Sequence, residues 1–117
     1  MLEVTFFRDD RDRLAGLSAV GHADFADYGT DIVCAAVSSI LQAARIGLTE
    51  YAGLAVEAIQ HAGELELTWR EEDRDRENLR AIVATAELAV GEIARRYPDH
   101  VLVAQSRAKR NAGRSGG

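Results

Sequence analysis

The sequence predicts a single α+β domain with the element order ββαββαβ. Two long segments place apolar residues three and four positions apart, as amphipathic helices do, and five short segments have the alternating or uniformly apolar pattern of strands. A chain of 117 residues with 47% apolar content suits one hydrophobic core. We therefore expect one or two small sheets packed with two helices, which either cover a sheet or lie between two subunits.

Four of the strands are predicted as two hairpins. Residues 2–7 alternate apolar and polar side chains, and a polar turn separates them from a second strand at 14–20. Farther along the chain, residues 55–60 and 65–69 flank a turn that contains glycine. Each pair is short and close in sequence, which indicates antiparallel pairing.

The helices are predicted from Asp31 to about Gly53 and from about residue 79 to 94, where apolar residues repeat at helical spacing. Gly29 is interpreted as part of the break before the first helix, and Asp31 as its N-cap. The second helix is expected to end before Pro98, because proline restricts the preceding residue to non-helical conformations.

A last strand is expected at 101–104, and it completes the domain. We place the domain at residues 1–105. The remaining segment, 106–117, is basic and rich in glycine and serine, a composition typical of disordered tails.

The segment 21–38 holds the chain's single cysteine, Cys34, and a histidine, His22. Cys34 is expected in the first turn of the first helix, where free N–H groups and the helix dipole favour the thiolate that acts as a nucleophile. His22 lies in a loop flanked by Gly21 and Gly29, and it could fold back as the proton acceptor. This combination predicts a hydrolase with a Cys/His pair.

Other polar residues of the segment have a structural and a functional interpretation. Asp31 is favoured as a helix N-cap, but Asp24, Asp27 or Asp31 could also orient the imidazole of His22. Ser38 follows the cysteine by one helical turn, where it could bond to a helix carbonyl or position the nucleophile.

No metal and no cofactor are expected. His22, Asp24 and Cys34 lack a recognisable metal-ligand spacing. His61 and His100 are interpreted as a turn residue and a strand-edge residue. A single cysteine also excludes an intramolecular disulfide.

Charge and hydropathy narrow the possible partners. The net charge of −5 argues against a general nucleic-acid binder, since contact with phosphates needs a positive surface, and it suits a basic partner. No run of eighteen apolar residues and no basic, apolar, small-residue leader is present, so we expect no membrane span and a cytoplasmic location.

Read as a whole, Gly21-His22-Ala23 followed by Gly29 and by Asp31-Ile32-Val33-Cys34-Ala35-Ala36-Val37-Ser38 resembles the signature of the ribosomal-processing cysteine protease family, Prp. The resemblance extends over the predicted elements from Leu2 to about Gln105.

This resemblance implies an endopeptidase that removes the N-terminal extension of the large-subunit ribosomal protein numbered twenty-seven. It implies that Cys34 is the nucleophile, that His22 is the general base and later the acid, and that the enzyme is a homodimer. Substrates of the family are cut after a pair of aromatic residues and before a basic stretch. Gly21 and Gly29 would then serve as hinges that let the loop close over the peptide.

Two other functions are compatible with the residues alone. One is a non-catalytic, ribosome-associated module that binds a basic peptide, in which Cys34 only packs. The other is a thiol redox sensor, which needs a reactive cysteine but no histidine partner, so His22 argues against it.

Overall fold

The computed structural model describes residues 1–21 and 28–108, with the backbone alone for residues 28–31. The elements run in the order β1 (Leu2–Arg8), β2 (Leu14–Val20), α1 (Tyr28–Ile46), β3 (Val56–His61), β4 (Glu64–Trp69), α2 (Glu77–Arg96) and β5 (Val101–Arg107). The predicted order ββαββαβ is therefore confirmed. Short π-helical and 3₁₀ turns, Gly47–Tyr51 and Glu71–Asp73, follow α1 and β4.

All five strands join one mixed sheet in the order β3-β4-β2-β1-β5. Both predicted hairpins are present as antiparallel pairs, and β2 also pairs antiparallel with β4. The exception is β5, which returns to the opposite side of β1 and pairs with it in parallel. Strands β3 and β5 consequently form the two edges of the sheet.

The two helices cover one face of this sheet. Alternate residues of the inner strands point toward the helices, as the period of two in a strand requires. One continuous core results, which includes Leu2, Val4, Phe6, Leu14, Leu17, Ala19, Val33, Val37, Leu41, Leu48, Leu54, Leu65, Leu67, Trp69, Leu79, Val83, Val90 and Val101. The opposite face of the sheet has no helix packed on it among the described residues.

Helix α1 begins at Tyr28, three residues before the predicted start. Asp31 is therefore a residue of the first turn, and its predicted role as N-cap is wrong. Glycine at position 29 was interpreted as a break, but intrinsic propensity is a weak determinant of structure and packing often overrides it.

Helix α1 and the turn after it are unusually apolar. By length and composition alone, Ile32–Tyr51 is apolar enough to cross a membrane, with a mean hydropathy of 1.6. Core helices have the same property, and Val33, Val37 and Leu41 of this segment are buried in the core described above. Only 28% of the segment is buried, so much of its apolar character faces outward.

Strand β5 extends to Arg107, past the domain boundary expected at residue 105. Ser106 and Arg107 are ordered by parallel pairing with Phe7 and Arg8 of β1, which a composition argument does not detect. The rest of the predicted tail, from residue 109, lies outside the described residues.

A buried carboxylate joins the β1–β2 turn to the connection before α2. Asp9 accepts hydrogen bonds from the backbone N–H groups of Arg11 and Arg13, and its Oδ2 accepts from Arg13 Nε at 3.0 Å and from Arg74 Nη1 at 2.9 Å. Burial raises the pKa of Asp9, but these hydrogen bonds and the charge of Arg13 outweigh it and lower the pKa to about 2. The carboxylate therefore stays ionised and ties the two segments together.

Candidate active site

Cys34 lies on α1, six residues after the first residue of the helix. The prediction that it occupies the first turn is wrong, because α1 starts earlier than expected. In an α-helix only the first four N–H groups lack an intrahelical acceptor. The N–H of Cys34 is thus not one of the free donors at the helix start.

The thiol of Cys34 borders a pocket of about 220 Å³ between α1 and the β3–β4 hairpin. The side chain is partly buried and packs against the core on one side. The pocket has an apolar floor, which includes Leu2 and Leu65, and a polar rim. A nucleophile in this position can meet a bound molecule and is also held in place by packing.

Five polar residues besides Cys34 line the pocket: Ser38, Gln42, Gln60, His61 and Glu64. Gln42 Nε2 donates a hydrogen bond to Gln60 Oε1 at 3.3 Å, and Arg45 Nη1 donates to the same oxygen at 3.2 Å. These bonds connect α1 to the C-terminal end of β3. The structure thus places Ser38 in the pocket of Cys34, while its supporting role stays a prediction.

His61 was expected to be only a turn residue, yet it forms part of the pocket wall. It is the last residue of β3. Its place in the pocket wall depends on how the hairpin packs near the helix, so neither residue spacing nor composition could indicate it. Glu64, opposite His61 in the hairpin, also lines the pocket.

Gly21 follows β2 and precedes His22. It has a φ of +105°, and its N–H donates a hydrogen bond to the carbonyl oxygen of Gly63 at 2.9 Å. A side chain at this position would overlap the carbonyl oxygen of Met1. Gly21 is therefore fixed in this structure, and the hinge role expected for it stays a prediction.

The other residues singled out in the sequence are placed only in part. His22 lies outside the described residues, as do Asp24 and Asp27. Gly29 is the second residue of α1 and Asp31 the fourth. Their roles as hinge and as support for His22 remain predictions.

Within residues 1–21 and 28–108, no group of three or more histidine, cysteine, aspartate or glutamate side chains could hold a metal ion.

A search of curated proteins finds no match, but similar structures are known. The S. aureus ribosomal processing protease Prp, in complex with a substrate peptide, is similar with a TM-score of 0.80 and 20% identity over 90% of this chain and 99% of that one. The same protease with a covalently linked product peptide gives a TM-score of 0.79 at 20% identity, with the same coverage of both chains. SMU.848 from Streptococcus mutans gives 0.78 at 23% identity over 92% of this chain and 96% of that one.

At these identities the likeness establishes the fold. The family comes from a sequence model described as cysteine protease Prp, which matches residues 1–102 and so spans nearly all of the described elements. With this match, the chain belongs to the Prp family of cysteine proteases.

Proposed function

We propose that this enzyme removes the N-terminal extension of the large-subunit ribosomal protein numbered twenty-seven, with Cys34 as nucleophile and His22 as general acid and base. The observation that carries the proposal is that a cysteine protease needs a reactive cysteine, and Cys34 is the chain's only one. Its position in a pocket beside the segment that leads into His22 supports this assignment.

The reaction follows from ordinary Cys/His chemistry. His22 accepts the thiol proton of Cys34, and the thiolate attacks the carbonyl carbon of the scissile peptide bond. As the C–N bond breaks, the imidazolium returns that proton to the leaving amine, and a thioester remains on Cys34. His22 then activates a water molecule, which hydrolyses the thioester and frees the thiol. The chemistry needs no cofactor.

The substrate class is supported by the comparisons and by charge. The S. aureus enzyme is known with a substrate peptide and with a covalently linked product peptide. The net charge of −5 would attract a peptide whose segment after the cut is basic. Because the substrate is a ribosomal protein, we place the enzyme in the cytoplasm, without a membrane or a direct nucleic-acid partner.

We also propose a homodimer whose interface includes the outer side of α1 and α2. A groove of about 500 Å³ between the helices is lined mainly by small and apolar residues, among them Ile40, Ala43, Gly47 and Ile82. Leu88, next to this groove on α2, is 73% exposed. An exposed leucine beside a groove of small residues suits the self-complementary contact of a two-fold dimer.

The catalytic proposal is tested with a peptide that has two phenylalanines before a segment rich in lysine and arginine. We expect Cys34→Ala and His22→Ala each to lower kcat/KM by at least about a thousandfold, measured by mass spectrometry of the products. The double variant should be no worse than either single one, because both residues serve the same step.

Ser39→Ala is the matched control, since Ser39 is exposed on the same helix and does not line the pocket. It should retain wild-type turnover. A folded Cys34→Ala or His22→Ala enzyme that still cleaves at the wild-type rate would contradict the role of that residue.

A further inference from the structure

We propose that the outer edge of β3 binds the peptide substrate as an additional strand of the sheet and leads it into the Cys34 pocket. This inference rests on the proposed function, because it concerns how the same peptide is held. It adds a binding surface outside the pocket, formed mainly by the backbone of Val56–His61.

The backbone of β3 has N–H and C=O groups that no other described strand pairs with. Only the two residues of the turn separate His61 from Glu64, which are paired. His61 and Glu64 therefore form a hydrogen-bonded pair, in which each residue donates its N–H to the C=O of the other, as the residues that flank a two-residue turn do. Because bonded residues alternate along an antiparallel strand, Ala58 and Gln60 direct their N–H and C=O groups away from β4.

Three features that commonly protect an edge strand are absent from β3. Exposed edge strands in natural proteins are commonly blocked by lysine, proline or a bulge. The sequence of β3, VEAIQH, contains neither residue, and its register with β4 is unbroken from Val56 to His61. No strand lies beyond it among the residues that the structure describes. An extended chain can therefore pair with it.

The edge is continuous with the active-site pocket. Gln60 and His61, the last two residues of β3, line the same pocket as Cys34. The bonds from Gln42 and Arg45 to Gln60 hold the helix against this end of the strand. A peptide paired along β3 would thus reach the pocket at the end of the strand.

The charges around the edge favour a basic peptide. On the sheet face away from the helices, Glu57 is exposed, and Glu66 lies directly across from Ile59. Glu64, which pairs with His61 at the end of the hairpin, adds a third acidic residue on the same face. Arg45 lies on the opposite, helix side of the strand. Basic side chains of the peptide should therefore point to the sheet face away from the helices. The residues between them should point to the helix side.

The decisive measurement is amide hydrogen exchange of ¹⁵N-labelled Cys34→Ala enzyme, with and without a saturating amount of the Phe-Phe and Lys/Arg-rich peptide. We expect exchange at the Ala58 and Gln60 amides to slow by at least about tenfold. The Glu57 and Ile59 amides already bond to β4 and should change little, which makes them an internal control.

A second measurement uses peptides that carry a single backbone N-methyl group, which removes one N–H donor. Affinity should fall about tenfold at alternate peptide positions and stay nearly unchanged at the positions between. The variant Glu57→Gln/Glu66→Gln should weaken binding severalfold and reduce its salt dependence. Glu50→Gln, which changes an exposed carboxylate outside this edge, is the control.

The outcomes separate this inference from the proposed function. Peptide that binds and is cleaved by the wild-type enzyme without protecting Ala58 and Gln60, or without a period of two in the N-methyl series, would overturn strand addition alone. A peptide that neither binds nor is cleaved would overturn the proposed substrate, and strand addition with it.

Discussion

Gly21 fixes the point at which the chain leaves β2 toward His22. Its positive φ and the overlap that a side chain would have with the carbonyl oxygen of Met1 favour a residue without a side chain. Its N–H donates a hydrogen bond to the carbonyl oxygen of Gly63. The bond also links the start of this segment to the β3–β4 turn, so two parts of the active-site region share one backbone contact. Small changes at Gly21 should therefore affect catalysis as well as stability.

We predict that Gly21→Ala destabilises the protein by at least about 2 kcal/mol, because a side chain strains the left-handed backbone and overlaps Met1. Urea unfolding measures this change, and kcat/KM should fall as well. Gly53→Ala is the matched control: its φ is +68°, but nothing lies within 4 Å of the added carbon. It should cost only about 1 kcal/mol. Equal losses in the two variants would show that the contact with Met1 does not matter.

At the scale of elements, the two irregular segments around β1 and α2 are joined through Asp9. The folded-state pKa of about 2 lies below the usual value of 3.8. The contribution of the ionised Asp9 carboxylate to stability is therefore complete above about pH 4 and is lost as the pH falls from about 4 to about 2.

We predict that Asp9→Asn lowers the free energy of unfolding by about 2 kcal/mol at pH 7 and flattens the acid-induced loss of stability below pH 4. Denaturation at a series of pH values measures both effects. Asp10→Asn removes an exposed carboxylate of the same turn and should change stability by less than about 0.5 kcal/mol. If the Asp9→Asn variant lost as much unfolding free energy below pH 4 as the wild-type protein does, the role of this carboxylate would be contradicted.

The elements differ in how far the sequence could predict them. Strand β2 lies at the predicted residues 14–20, because local hairpin pairing and burial favour the same register. The start of α1 was missed, since Gly29 is locally unfavourable in a helix that tertiary packing stabilises. The pairing of β5 with β1 and the position of His61 in the pocket of Cys34 depend on distant segments, so no local sequence pattern could indicate them.

At the scale of the whole molecule, charge and the outer helix face govern encounters with partners. An enzyme with a net charge of −5 attracts a basic peptide over distances longer than any single contact. The apolar groove between α1 and α2 lies on the outer side of the helices and leaves an apolar surface uncovered.

We predict that kcat/KM for the basic peptide falls roughly tenfold when ionic strength rises from about 0.1 M to about 1 M, because the screening length shrinks from about 10 Å to about 3 Å. Steady-state cleavage assays measure this dependence. A peptide whose lysines and arginines are replaced by glutamine should show almost none. Equal salt dependence for the two peptides would rule out charge attraction as the cause.

We predict that Leu88→Glu converts the proposed dimer to monomers, because a charge cannot be buried beside the apolar groove without a partner. Sedimentation velocity measures the oligomeric state. Leu102→Glu is the control, since Leu102 is 50% exposed on a strand rather than on the helix face. A wild-type protein that sediments as a monomer at micromolar concentration would disprove the dimer.

The parallel pair of β1 and β5 also has a consequence for biosynthesis. Leu2 pairs with Val101, so this contact closes a loop of about a hundred residues and should be among the slowest to form. While the chain is being made, β1 can pair with β2 long before β5 exists, and one side of β1 stays unpaired during that time. An unpaired strand edge can join with a neighbouring nascent chain. Substitutions that weaken β5 should therefore reduce the yield of folded enzyme more than they reduce its activity per folded molecule.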